Sequence, residues 1–224
     1  MDVCLFDIDG TLLSTGGAGQ AAMEAAIAMA FGTERRVSDV LTAGRTDHAI
    51  SLDLFQYYGV EMTEERGRNF RDAYLEQLPR FLSDRAGTVL PGVERLLDSL
   101  AEQPAVALGL LTGNFREGAA IKLRHYALEH FFAFGGFGDR HLDRDDVARE
   151  ALRECRRHLG TAVDPQRVWV IGDTPSDIRC ARAIGARSVA VATGVFPPAD
   201  LAAARPDHLF SDFSEPESLL QVLA

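Results

Sequence analysis

The 224-residue chain has one tryptophan, three cysteines and one lysine. The cysteines, Cys4, Cys155 and Cys180, are odd in number, widely spaced and form no CxxC. A zinc ribbon or a disulfide framework is therefore a poor reading, and a reducing compartment is the better one. No apolar run approaches the ~18 residues needed to cross a membrane. The opening MDVCLFDIDG lacks the basic region and long apolar stretch of a secretory signal. The protein is thus expected to be soluble and cytoplasmic. Positive charge is also short: Lys+Arg number 23 against 33 Asp+Glu, a net charge of −10. Such a surface repels phosphate backbones and anionic lipid, so neither nucleic acid nor membrane is an expected partner. Lysine occurs only at position 122, so any reaction that needs one has a single candidate.

What is present is ordinary for a globular protein, 46% hydrophobic and 25% charged. Four apolar runs stand out: Val3 to Phe6, Ala105 to Leu111, Val168 to Ile171 and Ser188 to Ala192. They barely alternate, which fits strands buried on both faces of a parallel sheet. Helical patterns separate the later runs, at Glu94 to Glu102, Arg116 to Leu128, Arg144 to Leu159 and Pro175 to Ile184. A last strand is expected at His208 to Phe210, then a short helix. This alternation predicts an α/β fold with a Rossmann-like parallel sheet. The first strand breaks the rhythm. Ser14 to Gly19 is glycine-rich, and helical patterns follow at Gln20 to Phe31, Asp47 to Tyr58 and Thr63 to Leu82. The expectation is a core of residues 1–15 and 88–224 with a helical cap, 16–87, inserted after the first strand. Gly16, Gly17 and Gly19 are its hinge candidates.

Three strands run into residues that are not core material: Asp7-Ile8-Asp9-Gly10-Thr11, Thr112-Gly113-Asn114 and Gly172-Asp173-Thr174-Pro175-Ser176-Asp177. In open parallel sheets ligands bind beyond the carboxyl ends of the strands, so the three clusters can converge. Converging carboxylates repel, and a cation resolves the repulsion. Asp7, Asp9, Asp173 and Asp177 are hard oxygen donors unaccompanied by His or Cys, which favours Mg²⁺. Thr174 could equally be an N-cap with Pro175 at the first helical position, making Asp177 a capping-box acid; both roles can coexist. Asn114 is read as a possible N-cap for the helix that follows, and Thr46 or Asp47 as caps of theirs.

FDIDGTLL, LLTGN and VIGDTPSDIRCARAIGA resemble, in order and spacing, the motifs of the haloacid dehalogenase superfamily. The resemblance covers the whole chain and implies a phosphatase for a small phosphorylated metabolite, a monomer or homodimer, similar to phosphoglycolate phosphatases. It implies that Asp7 is the nucleophile and forms an aspartyl-phosphate, and that Asp9 is the general acid and base. Thr112 would bond the phosphoryl group, with the Gly113 and Asn114 N–H groups beside it. Asp7 and the Ile8 carbonyl would touch the metal, Asp9 would share the site, Asp173 would be a direct ligand and Asp177 a second carboxylate. The family's usual lysine is missing; Arg144 is assigned its place, with Arg140 competing. Lys122 is expected on an exposed helix face. Arg45 either reaches substrate or lies in a polar turn. Asp9 favours phosphate esters over halides, and a cap without lysine excludes the Schiff-base chemistry of phosphonatases. A phosphosugar mutase of the β-phosphoglucomutase type, and a catalytically silent binding module, are the alternatives.

Overall fold

Apolar runs with no polar face need cover on both sides, and here they receive it. The computed structural model describes residues 1–32, 42–160 and 162–223, and every element named below lies among them. In chain order these are β1 (Asp2–Phe6), β2 (Leu13–Ser14), α1 (Ala18–Phe31), α2 (Asp47–Tyr57), α3 (Glu64–Asp84), β3 (Thr88–Val89), α4 (Val93–Ala101), β4 (Val106–Leu111) and α5 (Arg116–His125). They continue with β5 (Phe134–Gly136), α6 (Arg144–Leu159), β6 (Val168–Gly172), α7 (Pro175–Ala183), β7 (Arg187–Val191), α8 (Pro198–Ala203), β8 (His208–Phe210) and α9 (Pro216–Leu223). β1 and β6 are buried at every position. Successive side chains point to opposite faces. Thus Phe6 packs with Leu96, Leu123 and Leu219 on one side, and Leu5 packs with Val147, Leu152 and Cys180 on the other.

The strands form one sheet in the order β5-β4-β1-β6-β7-β8, each pair parallel. From β1 the chain builds outward on one side through β4 and β5, then returns to the other through β6, β7 and β8. Strand order therefore reverses at β1, and the crevice that this opens lies at the carboxyl ends of β1, β4 and β6.

The segment between β1 and β4 departs from the alternation. β2 and β3 pair antiparallel, Leu13 with Val89 and Ser14 with Thr88, and tie together the chain on either side of α1, α2 and α3. These helices share an apolar cluster that includes Ile27, Ile50, Phe55, Phe70, Tyr74 and Leu78. Phe115, from the loop after β4, joins that cluster, its ring edge-on to Tyr74 at 6.0 Å. Gly16 and Gly17 take positive φ, 61° and 83°. Gly19 does not; it lies in α1 beside Lys122, and an added Cβ would stand 3.5 Å from Nζ. Residues 33–41 of the expected cap fall outside the described residues.

Some elements were not anticipated. β5 contains Gly135 and Gly136, and a Cβ on Gly136 would lie 2.4 Å from the Val147 carbonyl oxygen. Helix α6 thus rests on that strand, and the glycines that permit this remove the β-branched signal. α8 begins at Pro198, where a missing N–H costs nothing. The helix expected through Leu128 stops at His125. All three cysteines are buried and free. No helix among the described residues is long and apolar enough to cross a membrane.

Candidate active site

Asp7 follows β1 directly, and its N–H donates to the Ile171 carbonyl of β6 at 2.9 Å. One carboxylate oxygen accepts from the Ile8 N–H (2.7 Å), the other from Arg144 Nη2 (3.0 Å). Asp173, past the end of β6, accepts from the Thr11 hydroxyl at 2.9 Å. Gly10 makes this fit possible. Its φ is 83°, and a Cβ there would stand 2.4 Å from Asp173 Oδ2. One carboxylate oxygen each from Asp7, Asp173 and Asp177 lies within 4.8 Å of the others, and all three residues are buried.

Such crowding is electrostatically costly. Burial, then the charges of Asp177 and Asp7, push the Asp173 carboxyl up to about 8. Burial raises Asp177 to about 6 against the pull of Arg144. A buried group of hard oxygen donors that resist losing their protons is what a divalent cation relieves, so these residues fit a metal. Asp9 is not in the group. Its carboxylate turns instead to Lys122 and Asn114, so its expected share in the metal is not carried forward. The Ile8 carbonyl accepts from the N–H groups of Thr11, Leu12 and Leu13.

Asp177 fills the capping role expected of it. It completes a capping box with Thr174 at the start of α7, and its other oxygen accepts from Arg144. Arg144 is 4% exposed, whereas Arg140 is exposed, so only the former reaches the carboxylates. Burial opposes the Arg144 charge, but Asp177 and Asp7 overcome it and hold the guanidinium protonated more firmly than usual. Both contacts run through the single nitrogen Nη2, as a point charge and not as a fork. Nε, also buried, has no partner among the described residues.

Lys122 corrects the sequence reading most sharply. It is 4% exposed. Its ammonium donates to Asp9 Oδ2 and to Asn114 Oδ1, both at 2.6 Å. Asn114 does not cap α5. Its amide donates to Asp9 Oδ2 (2.9 Å) and Thr112 Oγ1 (2.8 Å). Two donors therefore fix one oxygen of Asp9, while the Asp9 side chain stays 42% exposed. The signal was present in sequence: Gly118, Ala119, Lys122 and Leu123 form one buried stripe of α5 at helical spacing.

The α1–α3 side supplies the roof. Thr46 caps α2, accepting from the Ala49 N–H at 3.1 Å. Asp47 caps a distant helix: its carboxylate accepts from the Phe115 N–H (2.8 Å) at the start of α5. The Asp47 and His48 N–H groups donate to the Gly113 (2.7 Å) and Gly138 (3.3 Å) carbonyls. A Cβ on Gly113 would lie 1.9 Å from the Arg45 carbonyl oxygen, so only glycine admits this loop. Burial pushes Asp47 up to about 6, with Lys122 opposing. Arg45 pairs with Asp53 of α2. Tyr74, not singled out from sequence, is fully buried, and its hydroxyl has no partner among the described residues. Leaving such a group unpaired costs about 1–3 kcal/mol. Burial and the charges of Asp47 and Asp9 push its acidity well down, keeping the O–H intact.

These residues enclose a cavity of about 420 Å³, within the range of small-ligand sites. Asp7, Asp9, Arg45, Gly113, Asn114, Lys122, Arg144 and Asp173 line it; Thr112, fully buried, reaches it through Asn114.

A family of haloacid dehalogenase-like hydrolases matches residues 1–185, from β1 through α7, which carry every site residue above. The N-acetylmuramic acid 6-phosphate phosphatase of Pseudomonas aeruginosa is 28% identical over 98% of this chain and 93% of its own. A phosphoglycolate phosphatase of Synechococcus elongatus is 31% identical over 66% of each chain. Among solved structures, CbbY from Rhodobacter sphaeroides in complex with phosphate shares the fold, with a TM-score of 0.76 over 96% of both chains at 21% identity. A match over most of the chain, on this sheet and with these acids at its carboxyl edge, makes the protein an enzyme of the haloacid dehalogenase-like hydrolase family.

Proposed function

We propose that the enzyme is a phosphatase, hydrolysing phosphate monoesters of small molecules with Asp7 as carrier of the phosphoryl group and Mg²⁺ as its metal. The observation that carries this reading is the pair of acids flanking Ile8. Asp7 is buried, clamped by Ile8 N–H and Arg144, and placed beside Asp173 and Asp177. Asp9 is open to the cavity and held by Lys122 and Asn114. The names of the two curated relatives point the same way.

In the first half-reaction an Asp7 oxygen bonds to phosphorus and the ester P–O bond breaks. Asp9 gives its proton to the departing oxygen. In the second, Asp9 takes a proton from water as that water attacks the phosphorus of the aspartyl-phosphate, and inorganic phosphate leaves. Arg144 balances the Asp7 charge and presents its free Nε, while the Gly113–Asn114 loop borders the phosphoryl pocket. Asp7 and Asp173, with Asp177 beside them, would hold Mg²⁺, which when bound neutralises phosphoryl charge. A cavity that small, on so acidic a chain, supports a small-molecule ester as substrate.

The test is Mg²⁺-dependent hydrolysis of p-nitrophenyl phosphate. Asp7→Asn is expected to cut turnover by roughly 10⁴-fold or more while the circular dichroism spectrum stays unchanged. Asp9→Asn is expected to accumulate acid-labelled phosphoprotein from an activated phosphate donor. Turnover retained by Asp7→Asn would remove that residue from its role; a folded wild type inert on a panel of phosphate esters would favour a binding module.

A further inference from the structure

We infer that the Tyr74 hydroxyl reads the organic part of the substrate and selects a carbon skeleton carrying neutral hydroxyl groups over one carrying a carboxylate. Two observations point to a ligand. The residue lines the cavity that holds Asp7 and Asp9, and its oxygen, on a side chain with no exposed surface, has no protein partner among the described residues. The ring cannot easily turn to find one. Phe115 lies edge-on to it at 6.0 Å, and it covers Gly118 so closely that a Cβ there would stand 3.3 Å from Cε1 and 3.4 Å from the hydroxyl oxygen. The O–H is thus a fixed donor at the wall of that cavity.

The surrounding charge chooses what it binds. Asp9 and Asp47 both act on the hydroxyl oxygen, and burial already disfavours charge on Asp47. Lys122, which lines the same cavity, is committed to Asp9 and Asn114. The Arg45 guanidinium is paired with Asp53. Among the described residues, a second carboxylate brought in by substrate would meet like charge without a dedicated counter-ion. A hydroxyl meets no such repulsion: it accepts from Tyr74 and can donate to a carboxylate beside it. A site built to bond a hydroxyl discriminates strongly against analogues that lack one.

The selectivity belongs to the phosphatase site proposed above, yet binding and turnover can be read separately. Calorimetry is done on full-length Asp7→Asn protein with Mg²⁺, which holds ligand without consuming it. The ligands are ribitol 5-phosphate, n-pentyl phosphate and 5-phosphonooxypentanoate: one chain length, with hydroxyls, bare, or ending in a carboxylate. Adding Tyr74→Phe, which keeps the ring packing, is expected to lower the ribitol 5-phosphate to n-pentyl phosphate affinity ratio by roughly tenfold. The carboxylate chain is expected to bind more weakly than ribitol 5-phosphate in the Tyr74 background. An affinity ratio unchanged by Tyr74→Phe, absence of ribitol 5-phosphate binding, or preference for the carboxylate chain overturns the inference. Failure of the folded wild type to hydrolyse any of a panel of phosphate esters sinks the phosphatase reading and leaves this binding comparison standing.

Discussion

A single ammonium group organises the second acid of the site. Lys122 and the Asn114 amide converge on one oxygen of Asp9, so the other is the oxygen available for proton transfer. Lys122→Met removes the charge, keeps the side-chain length and fits a buried stripe. We expect kcat to fall roughly 10²- to 10⁴-fold, as for loss of general acid–base catalysis. The limbs of the pH–kcat profile should shift, and the orphaned Asn114 oxygen should cost about 1–3 kcal/mol of stability. An unaltered kcat and profile would leave Lys122 a structural residue. The acids of the strand ends could be read from sequence because polar residues after a buried apolar run need a reason. Lys122 could not be assigned in the same way, because its partners are 8 and 113 positions away along the chain. Tyr74 hides among Phe70, Leu78 and Leu82, a stripe whose spacing says core and nothing about a hydroxyl.

At the level of elements, the loop before α2 is attached to the loop after β4 by main-chain contacts that depend on a missing side chain. Gly113→Ala would drive a Cβ into the Arg45 carbonyl. The expected cost is about 1–3 kcal/mol, and the contact it breaks is local. Hydrogen exchange should show the Asp47 and His48 amides losing protection while the amides of β1 and β6 keep theirs. Uniform loss across the sheet would mean that Gly113 supports the whole fold and not this junction. The sheet itself was legible because buried parallel strands read as continuous apolar runs. β5 was not, since its glycines serve the approach of α6. Nor was the capping of α5, because Asp47 supplies it from 68 residues away, and local pattern sees only local caps.

For the molecule as a whole, three buried carboxyls are raised above the unfolded value of about 3.9: Asp47 and Asp177 to about 6 and Asp173 to about 8. Between those values the folded state keeps protons that the unfolded chain has lost. Their contribution to metal-free stability is therefore full below about pH 4 and is lost as pH rises, through about 6 for Asp47 and Asp177 and about 8 for Asp173. A bound divalent cation has the opposite dependence, because Asp173 and Asp177 must be ionised to favour it. The rise in melting temperature on replacing EDTA with Mg²⁺ should be larger near pH 8 than near pH 6; an equal rise at both would exclude these carboxyls as the metal's anchors. The burial of residue 122 carries one more consequence. With the only lysine walled into the cleft, every outward-facing cationic side chain is a guanidinium or an imidazole. Acylating reagents that seek primary amines find no lysine on this surface, and labelling of residue 122 requires the reagent to enter the cleft.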